Sequence, residues 1–156
     1  MNLEPGDFSY DNAYTLLPFT SNTIYILKMS GAEIKQVIED ALDFALSGGS
    51  SGAFPYGAGV RFEATKAGKL GTRVKKIEEF DAKAKKWVPM DMKKMYEVGT
   101  NSYVAKGKDG CTTLGKVNSE RPGVDTHLGV ETAFIEYLKE KGEIAKPDSS
   151  NVIFKY

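Results

Sequence analysis

The stretch from residue 22 to residue 52 constrains the fold more than any other part of this sequence. Residues 22–29 (NTIYILKM) are rich in β-branched and aromatic types, which predicts a β-strand. Ser30 and Glu33 then have the spacing of a capping box, the pattern that begins a helix. The run Gly-Gly-Ser-Ser-Gly at 48–52 ends the helical pattern. The sequence therefore predicts a strand that leads directly into an amphipathic helix, whose apolar stripe is Ile34, Val37, Ile38, Ala41, Leu42 and Ala45.

Further strands are predicted along the rest of the chain. Residues 59–64 (GVRFEA) alternate in polarity, and residues 96–100 (YEVGT) and 151–156 (NVIFKY) are rich in strand-forming types. Residues 73–80 are ambiguous, because their apolar positions are spaced by three. The turn-like residues 81–86 and the Trp-Val pair that follows favour a β-hairpin there.

A second amphipathic helix is predicted near the C-terminal end. Its apolar positions begin at Val130, and Lys141-Gly142 has the pattern of a helix end. Strands outnumber helices and cluster in the middle of the chain. We therefore predict a single α+β domain over residues 1–156, with a mixed, largely antiparallel sheet and two main amphipathic helices.

Composition and charge exclude several functions. The 156 residues include 21 basic and 21 acidic side chains, so the formal net charge is zero. Nucleic-acid binders normally have a basic excess that neutralises phosphates, so no nucleic acid is expected as a partner. No apolar run reaches the roughly 18 residues that predict a membrane span. Residues 1–7 also lack a basic segment followed by an apolar run, so no signal peptide is predicted.

The chain contains one histidine, His127, and one cysteine, Cys111. Dinuclear phosphatase sites, zinc hydrolases and His-based triads need imidazoles as ligands or bases. We therefore predict no metal site, no cofactor and no catalytic residue in this chain, and expect any hydrolytic chemistry to lie outside it. His127 is predicted to be a surface or capping residue, and Cys111 a small buried apolar residue.

Five stretches together resemble the C-terminal domain of the bacterial 5'-nucleotidase family, which includes UDP-sugar hydrolases and cyclic-nucleotide phosphodiesterases. They lie in the family's order and cover nearly the whole chain: GDFSY at 6–10 with LLPF at 16–19, MSGAEIKQVIEDAL at 29–42, GAFPYGAGVRF at 52–62, TNSYVAKGKDG at 100–110 and FIEYLKEKG at 134–142.

The resemblance implies a division of labour between two domains. An N-terminal metallophosphoesterase domain, in cis, holds two divalent metal ions and performs the hydrolysis. The C-terminal domain binds the nucleoside or nucleotide. The family's phosphate-binding arginines lie in a Gly-Gly-x-Arg stretch before the Gly-Asp-x-x-Tyr motif, and this sequence contains no such arginine before Gly6. By resemblance, the location is the periplasm or cell surface.

The resemblance also implies a substrate site in this chain. Phe19 and Tyr103 match the two rings that sandwich the base, and Asp109 matches the carboxylate that accepts hydrogen bonds from the nucleoside. Asn22 is the match for a side chain that binds the base edge, with Ser21 as the substitute. Gly107 and Gly110 flank Asp109 in the loop Gly-Lys-Asp-Gly, where the family usually has Gly-Gly-Asp-Gly.

Each of these residues also has an ordinary structural interpretation. Phe19 fits a core ring beneath the sheet, and Asp109 fits a turn aspartate before glycine. Arg61 fits a solvated strand face better than a phosphate ligand. At the level of function, two alternatives to a nucleotidase recognition domain remain: a free-standing nucleoside-binding module, and a non-catalytic interaction domain.

Overall fold

A computed structural model describes residues 6–145 and 147–156 of the chain. The predictions for residues 1–5 therefore lie outside the described part. The α-helices are α1 (Tyr10–Leu16), α2 (Gly31–Leu46), α3 (Thr112–Glu120) and α4 (Val130–Lys141). The strands are β1 (Thr23–Ser30), β2 (Val60–Thr65), β3 (Val74–Asp81), β4 (Lys86–Pro89), β5 (Met95–Asn101), β6 (Val124–Gly129) and β7 (Val152–Lys155). Two short 3-10 helices cover Ser51–Ala53 and Val104–Lys106.

The strands form two sheets. The first sheet has the order β5-β1-β6 and is antiparallel throughout. The second has the order β4-β3-β2-β7, in which only the β2–β7 pair is parallel. The predicted α+β class with mixed, largely antiparallel pairing is confirmed. The division into two sheets was not predicted, because polarity patterns identify strands but not their partners.

Helix α2 joins the two sheets through its apolar face. Ser30 caps it as predicted: the Glu33 N–H donates to Ser30 Oγ at 3.2 Å, and the Ser30 N–H donates to Glu33 Oε2 at 2.8 Å. Ala41 packs into the core of the first sheet, and Ile38 and Leu42 pack into the core of the second. One helix therefore supplies apolar surface to both halves of the domain.

The predicted hairpin over 73–88 is confirmed, since β3 and β4 pair with Phe80 opposite Trp87. Three elements were not predicted: α1, α3 and β6. Helix α3 has only two buried apolar residues, Leu114 and Val117, and carries Gly115 in its middle. Such a segment has little helical signal of its own, so its conformation depends on tertiary contacts.

Among the described residues, no helix is long and apolar enough to cross a membrane.

Candidate functional site

Three segments that the sequence singled out meet at one end of the first sheet. Because β1 and β5 are antiparallel, the start of β1 lies beside the end of β5. The Ser102 N–H donates to the Thr23 carbonyl at 2.9 Å, and the Thr23 N–H donates to Ser102 Oγ at 3.1 Å. The Val130 N–H at the start of α4 donates to the Asn22 carbonyl at 3.1 Å. These bonds tie the turn that contains Asn22 to the loop that follows β5.

Phe19 lies in the turn before β1, in which the Asn22 N–H donates to the Phe19 carbonyl at 2.9 Å. Its side chain is 73% exposed, so it is not a core residue. The strand that follows, β1, begins four residues later at Thr23. Asn22 is half-buried and directly precedes β1. The turn therefore presents an aromatic ring to solvent beside a polar side chain.

Tyr103 lies two residues after the end of β5 and is 44% exposed. The Asn101 side chain orients this part of the loop, since its Oδ1 accepts hydrogen bonds from the N–H groups of Tyr103 and Val104, both at 3.0 Å. Asn101 was not among the residues predicted from the sequence. An asparagine two residues before the aromatic residue is the signal that identifies such a turn.

The Tyr103 hydroxyl donates a hydrogen bond to Asp109 Oδ1 at 3.3 Å. The negative charge of Asp109, followed by partial desolvation and this hydrogen bond, raises the pKa of Tyr103 above its ordinary value. The structure therefore brings together two of the predicted site residues. The resemblance assigned roles to Tyr103 and Asp109 separately and did not indicate that they contact each other.

The loop that carries Asp109 has an unusual backbone. Gly107, Asp109 and Gly110 all have positive φ angles, of 79°, 52° and 74°. A left-handed conformation at a residue other than glycine costs about 1 kcal/mol or more, and aspartate tolerates it better than most. A side chain at Gly110 would also place its Cβ 2.5 Å from Cβ of Phe44. Both conformation and close packing therefore require glycine at this position.

The other candidates lie outside this site or have structural roles. Arg61 Nε donates to Glu78 Oε2 at 2.6 Å, and its guanidinium lies 4.8 Å from the Trp87 ring centre, so Arg61 is an ion-paired residue. His127 is exposed, as predicted. Cys111 is buried, as predicted; burial, with smaller contributions from the charges of Asp40 and Asp109, raises its pKa to about 11.

No cluster of three or more His, Cys, Asp or Glu side chains that could hold a metal ion occurs in residues 6–145 and 147–156. The residues of this site therefore do not fit a metal centre. A cleft of about 420 Å³ lies between the two sheets, but none of the six predicted site residues lines it.

Comparison with known proteins identifies relatives over nearly the whole chain. A family model described as "5'-nucleotidase, C-terminal domain" matches residues 1–116. A probable 5'-nucleotidase of Treponema pallidum is 50% identical over 99% of this chain and 26% of its own length. An NAD 5'-nucleotidase of Haemophilus influenzae is 46% identical over 96% of this chain and 25% of its own length.

The fold is also found in solved structures. The structure of an NAD nucleotidase from Haemophilus influenzae superposes with a TM-score of 0.89 at 47% identity, and the match covers 97% of this chain and 27% of that one. The chain thus spans about a quarter of the length of the relatives that it matches.

Proposed function

The chain belongs to the family of 5'-nucleotidase C-terminal domains, and from this membership we propose that it recognises the nucleoside part of the substrate of a metal-dependent 5'-nucleotidase. The observation that carries the proposal is the pair of exposed rings, Phe19 and Tyr103, at one end of the first sheet with Asp109 beside Tyr103. The base would stack between the two rings. Asp109 would accept hydrogen bonds from the nucleoside, and Asn22 would contact the edge of the base.

Stacking accounts for binding without strong base preference. A base stacked on an aromatic side chain is worth about 1–3 kcal/mol, and every base has an aromatic face. The hydrogen bond from the hydroxyl of Tyr103 to Asp109 restricts the orientation of the Tyr103 ring. An oriented side chain loses less conformational entropy on binding, which favours affinity.

The carboxylate of Asp109 suits a ribose diol. A carboxylate accepts several hydrogen bonds, and two neighbouring hydroxyls can donate to it at once. In the described part of the chain, the Tyr103 hydroxyl is the one side-chain donor to Asp109, and it bonds to Oδ1. This arrangement leaves Oδ2 for a ligand, while Gly107 and Gly110, both at positive φ, hold the loop in the conformation that carries Asp109.

The proposed function assigns hydrolysis to another part of the protein. Two divalent metal ions held by an N-terminal metallophosphoesterase domain in cis would activate water and stabilise the charge that develops on the phosphate. The residues described here supply binding and orientation. We further propose, on family grounds, that the enzyme works in the periplasm or at the cell surface.

Titration with adenosine and AMP, followed by amide NMR shifts, tests the proposal. We expect shifts centred on Phe19, Tyr103 and Asp109. Affinity should lie in the high micromolar to millimolar range, which corresponds to about 4–6 kcal/mol. AMP should bind about as well as adenosine, because no phosphate arginine belongs to the proposed site. Shifts centred elsewhere, or AMP binding a hundredfold tighter, would contradict the assignment.

An activity assay provides a second test. Without a set of metal ligands, the 156-residue chain should not hydrolyse AMP above the buffer rate, even with Mn²⁺, Zn²⁺ or Mg²⁺ added. Hydrolysis that survives repurification and disappears in Asp109→Ala would show that the chain itself is catalytic.

A further inference from the structure

Asp40 is a buried carboxylate on α2, 6% exposed, that bonds to the segment immediately after the Asp109 loop. Its Oδ2 accepts hydrogen bonds from the Thr113 N–H at 2.8 Å and from the Thr112 hydroxyl at 3.0 Å. Its Oδ1 accepts one from Gln36 Nε2 at 2.9 Å. All three donors lie within reach of one side chain, and two of them belong to the first turn of α3.

These bonds replace a local helix cap. Cys111, the residue before α3, makes no side-chain capping bond. The first N–H groups of a helix need an acceptor, and a carboxylate there also interacts favourably with the helix dipole. Asp40, which lies on a different helix, supplies both the acceptor and the negative charge. It therefore fixes where α3 begins, three residues after Asp109.

Two contacts of glycine residues hold the same loop. A Cβ on Gly115 of α3 would lie 2.9 Å from Cα of Gly107, so helix and loop touch backbone to backbone. On the other side, Gly110 packs directly against the ring of Phe44 on α2. The loop is thus enclosed between α2 and α3, and Asp40 bonds α2 to the start of α3.

We propose that Asp40 is a positioning residue for nucleoside binding: through the start of α3, it holds the loop so that Asp109 stays beside Tyr103. The identity of the ligand in this proposal depends on the function proposed above. The geometry is independent of that function, because the Tyr103–Asp109 hydrogen bond joins two side chains of this chain.

The neighbouring residue Glu39 provides a matched control. It is also buried, at 1% exposure, but its carboxylate accepts hydrogen bonds from the N–H groups before and at the start of β3: those of Gly71, Arg73 and Val74. Two adjacent carboxylates on α2 therefore anchor different parts of the domain. If Asp40 acts only by stabilising the fold, Asp40→Ala and Glu39→Ala should have the same kind of effect.

The test compares Asp40→Ala, Asp40→Asn and Glu39→Ala with the unsubstituted chain, below their unfolding temperatures. The first measurement is the pKa of Tyr103, from ¹³C NMR titration of its ring with assignment by Tyr103→Phe. We expect the raised pKa to return towards the ordinary value in Asp40→Ala and to stay raised in Glu39→Ala. In Asp40→Asn, the pKa of Tyr103 should stay largely raised, because the amide oxygen still accepts the hydrogen bonds from α3.

Adenosine affinity is the second measurement. We expect a loss of about tenfold in Asp40→Ala, the typical value of a hydrogen bond to a charged group, and no loss in folded Glu39→Ala. A Tyr103 pKa and an affinity that both equal those of the unsubstituted chain in folded Asp40→Ala would overturn the inference. If adenosine does not bind the unsubstituted chain, the proposed function fails, and the Tyr103 pKa alone decides the role of Asp40.

If Asp40→Ala does not fold, Thr112→Val replaces it. Thr112 is exposed, and this change removes one of the three hydrogen bonds to Asp40. We expect a change of the Tyr103 pKa in the same direction but smaller. An unchanged pKa in this variant would then overturn the inference.

Discussion

Two regions of this domain carry exposed or half-buried aromatic rings that differ in their contacts, since the rings of one region pack against each other and those of the other do not. On the second sheet, Phe80 and Trp87 pack edge to face at 5.3 Å between ring centres, and the Arg61 guanidinium lies over Trp87. Phe54 and Phe154 also pack edge to face, at 5.4 Å. Phe19 and Tyr103, at the end of the first sheet, have no aromatic partner among the described residues.

This difference separates two uses of an aromatic side chain. A ring that already packs against another ring or a cation contributes to stability, because its faces and edges are occupied. A ring that is exposed and has no aromatic partner gives the fold little stability, and its face can stack on a ligand. The predictions below test whether the two regions differ in this way.

The largest expected effect is in the double variant Phe19→Ala/Tyr103→Ala. Each ring contributes about 1–3 kcal/mol of stacking, so the two together account for most of the expected affinity. Adenosine binding should fall below detection. The free energy of unfolding should change by about 1 kcal/mol or less, as is usual for exposed positions. Calorimetric titration and chemical denaturation measure the two quantities, and Tyr56→Ala, at a 79% exposed ring, is the control.

Loss of several kcal/mol of stability in that double variant, with binding intact, would instead assign both rings to the core. The comparison between the two regions would then be wrong.

Trp87→Ala should have the opposite effect. It removes the contact with Phe80 and the contact with Arg61, so the free energy of unfolding should decrease by about 2 kcal/mol. Adenosine affinity should not change, because Trp87 lies on the other sheet. Chemical denaturation and the same titration measure both. A weakened affinity in folded Trp87→Ala would indicate that the second sheet takes part in binding.

Asp109→Asn should have a smaller effect on binding. Asparagine tolerates the left-handed backbone and has a similar shape, so the loop should keep its conformation. It loses the charge that strengthens hydrogen bonds to the ribose, and affinity should decrease by about 1 kcal/mol. Isothermal titration with adenosine checks this. An Lys108→Gln variant, which changes an exposed neighbour, should bind like the unsubstituted chain.

The smallest expected effect is a pH dependence in the Arg61–Trp87 region. Hydrogen bonding from Arg61, and secondarily from Lys76, holds the pKa of Glu78 below its ordinary value of 4.5. A carboxylate with a lowered pKa in the folded state stabilises the fold above its unfolded pKa. This contribution is lost as the pH falls through the folded pKa.

Melting temperatures measured between pH 2.5 and about pH 7 test this expectation. The decrease in melting temperature below about pH 4.5 should be shallower in Arg61→Met than in the unsubstituted chain. Equal decreases in both would show that the pair does not couple to folding.

Much of the fold could be predicted from local patterns. Ser30 and Glu33 do form a capping box, and the stripe from Ile34 to Leu42 does face the apolar cores. The hairpin and the second amphipathic helix were also correct. These predictions succeeded because capping and burial depend on residues within a few positions of each other.

The candidate site could be predicted only in part from the sequence. The resemblance selected Phe19, Asn22, Tyr103, Asp109, Gly107 and Gly110, and their roles in binding stay predictions. The exposure of Phe19 and the Tyr103–Asp109 hydrogen bond came from the structure. No spacing rule distinguishes an exposed Phe from a buried one after Leu-Leu-Pro.

The sequence by itself determined the residues that form α2, most strands, and the absence of the side chains that a multi-histidine metal centre requires. Only the tertiary structure decided that the strands divide into two sheets, that Asp40 caps α3, and that Glu39 beside it anchors β3. The physical reason is distance along the chain. A periodic pattern reports which face of an element is buried, whereas Asp40 and Thr113 are 73 residues apart and meet only once both halves have packed on α2.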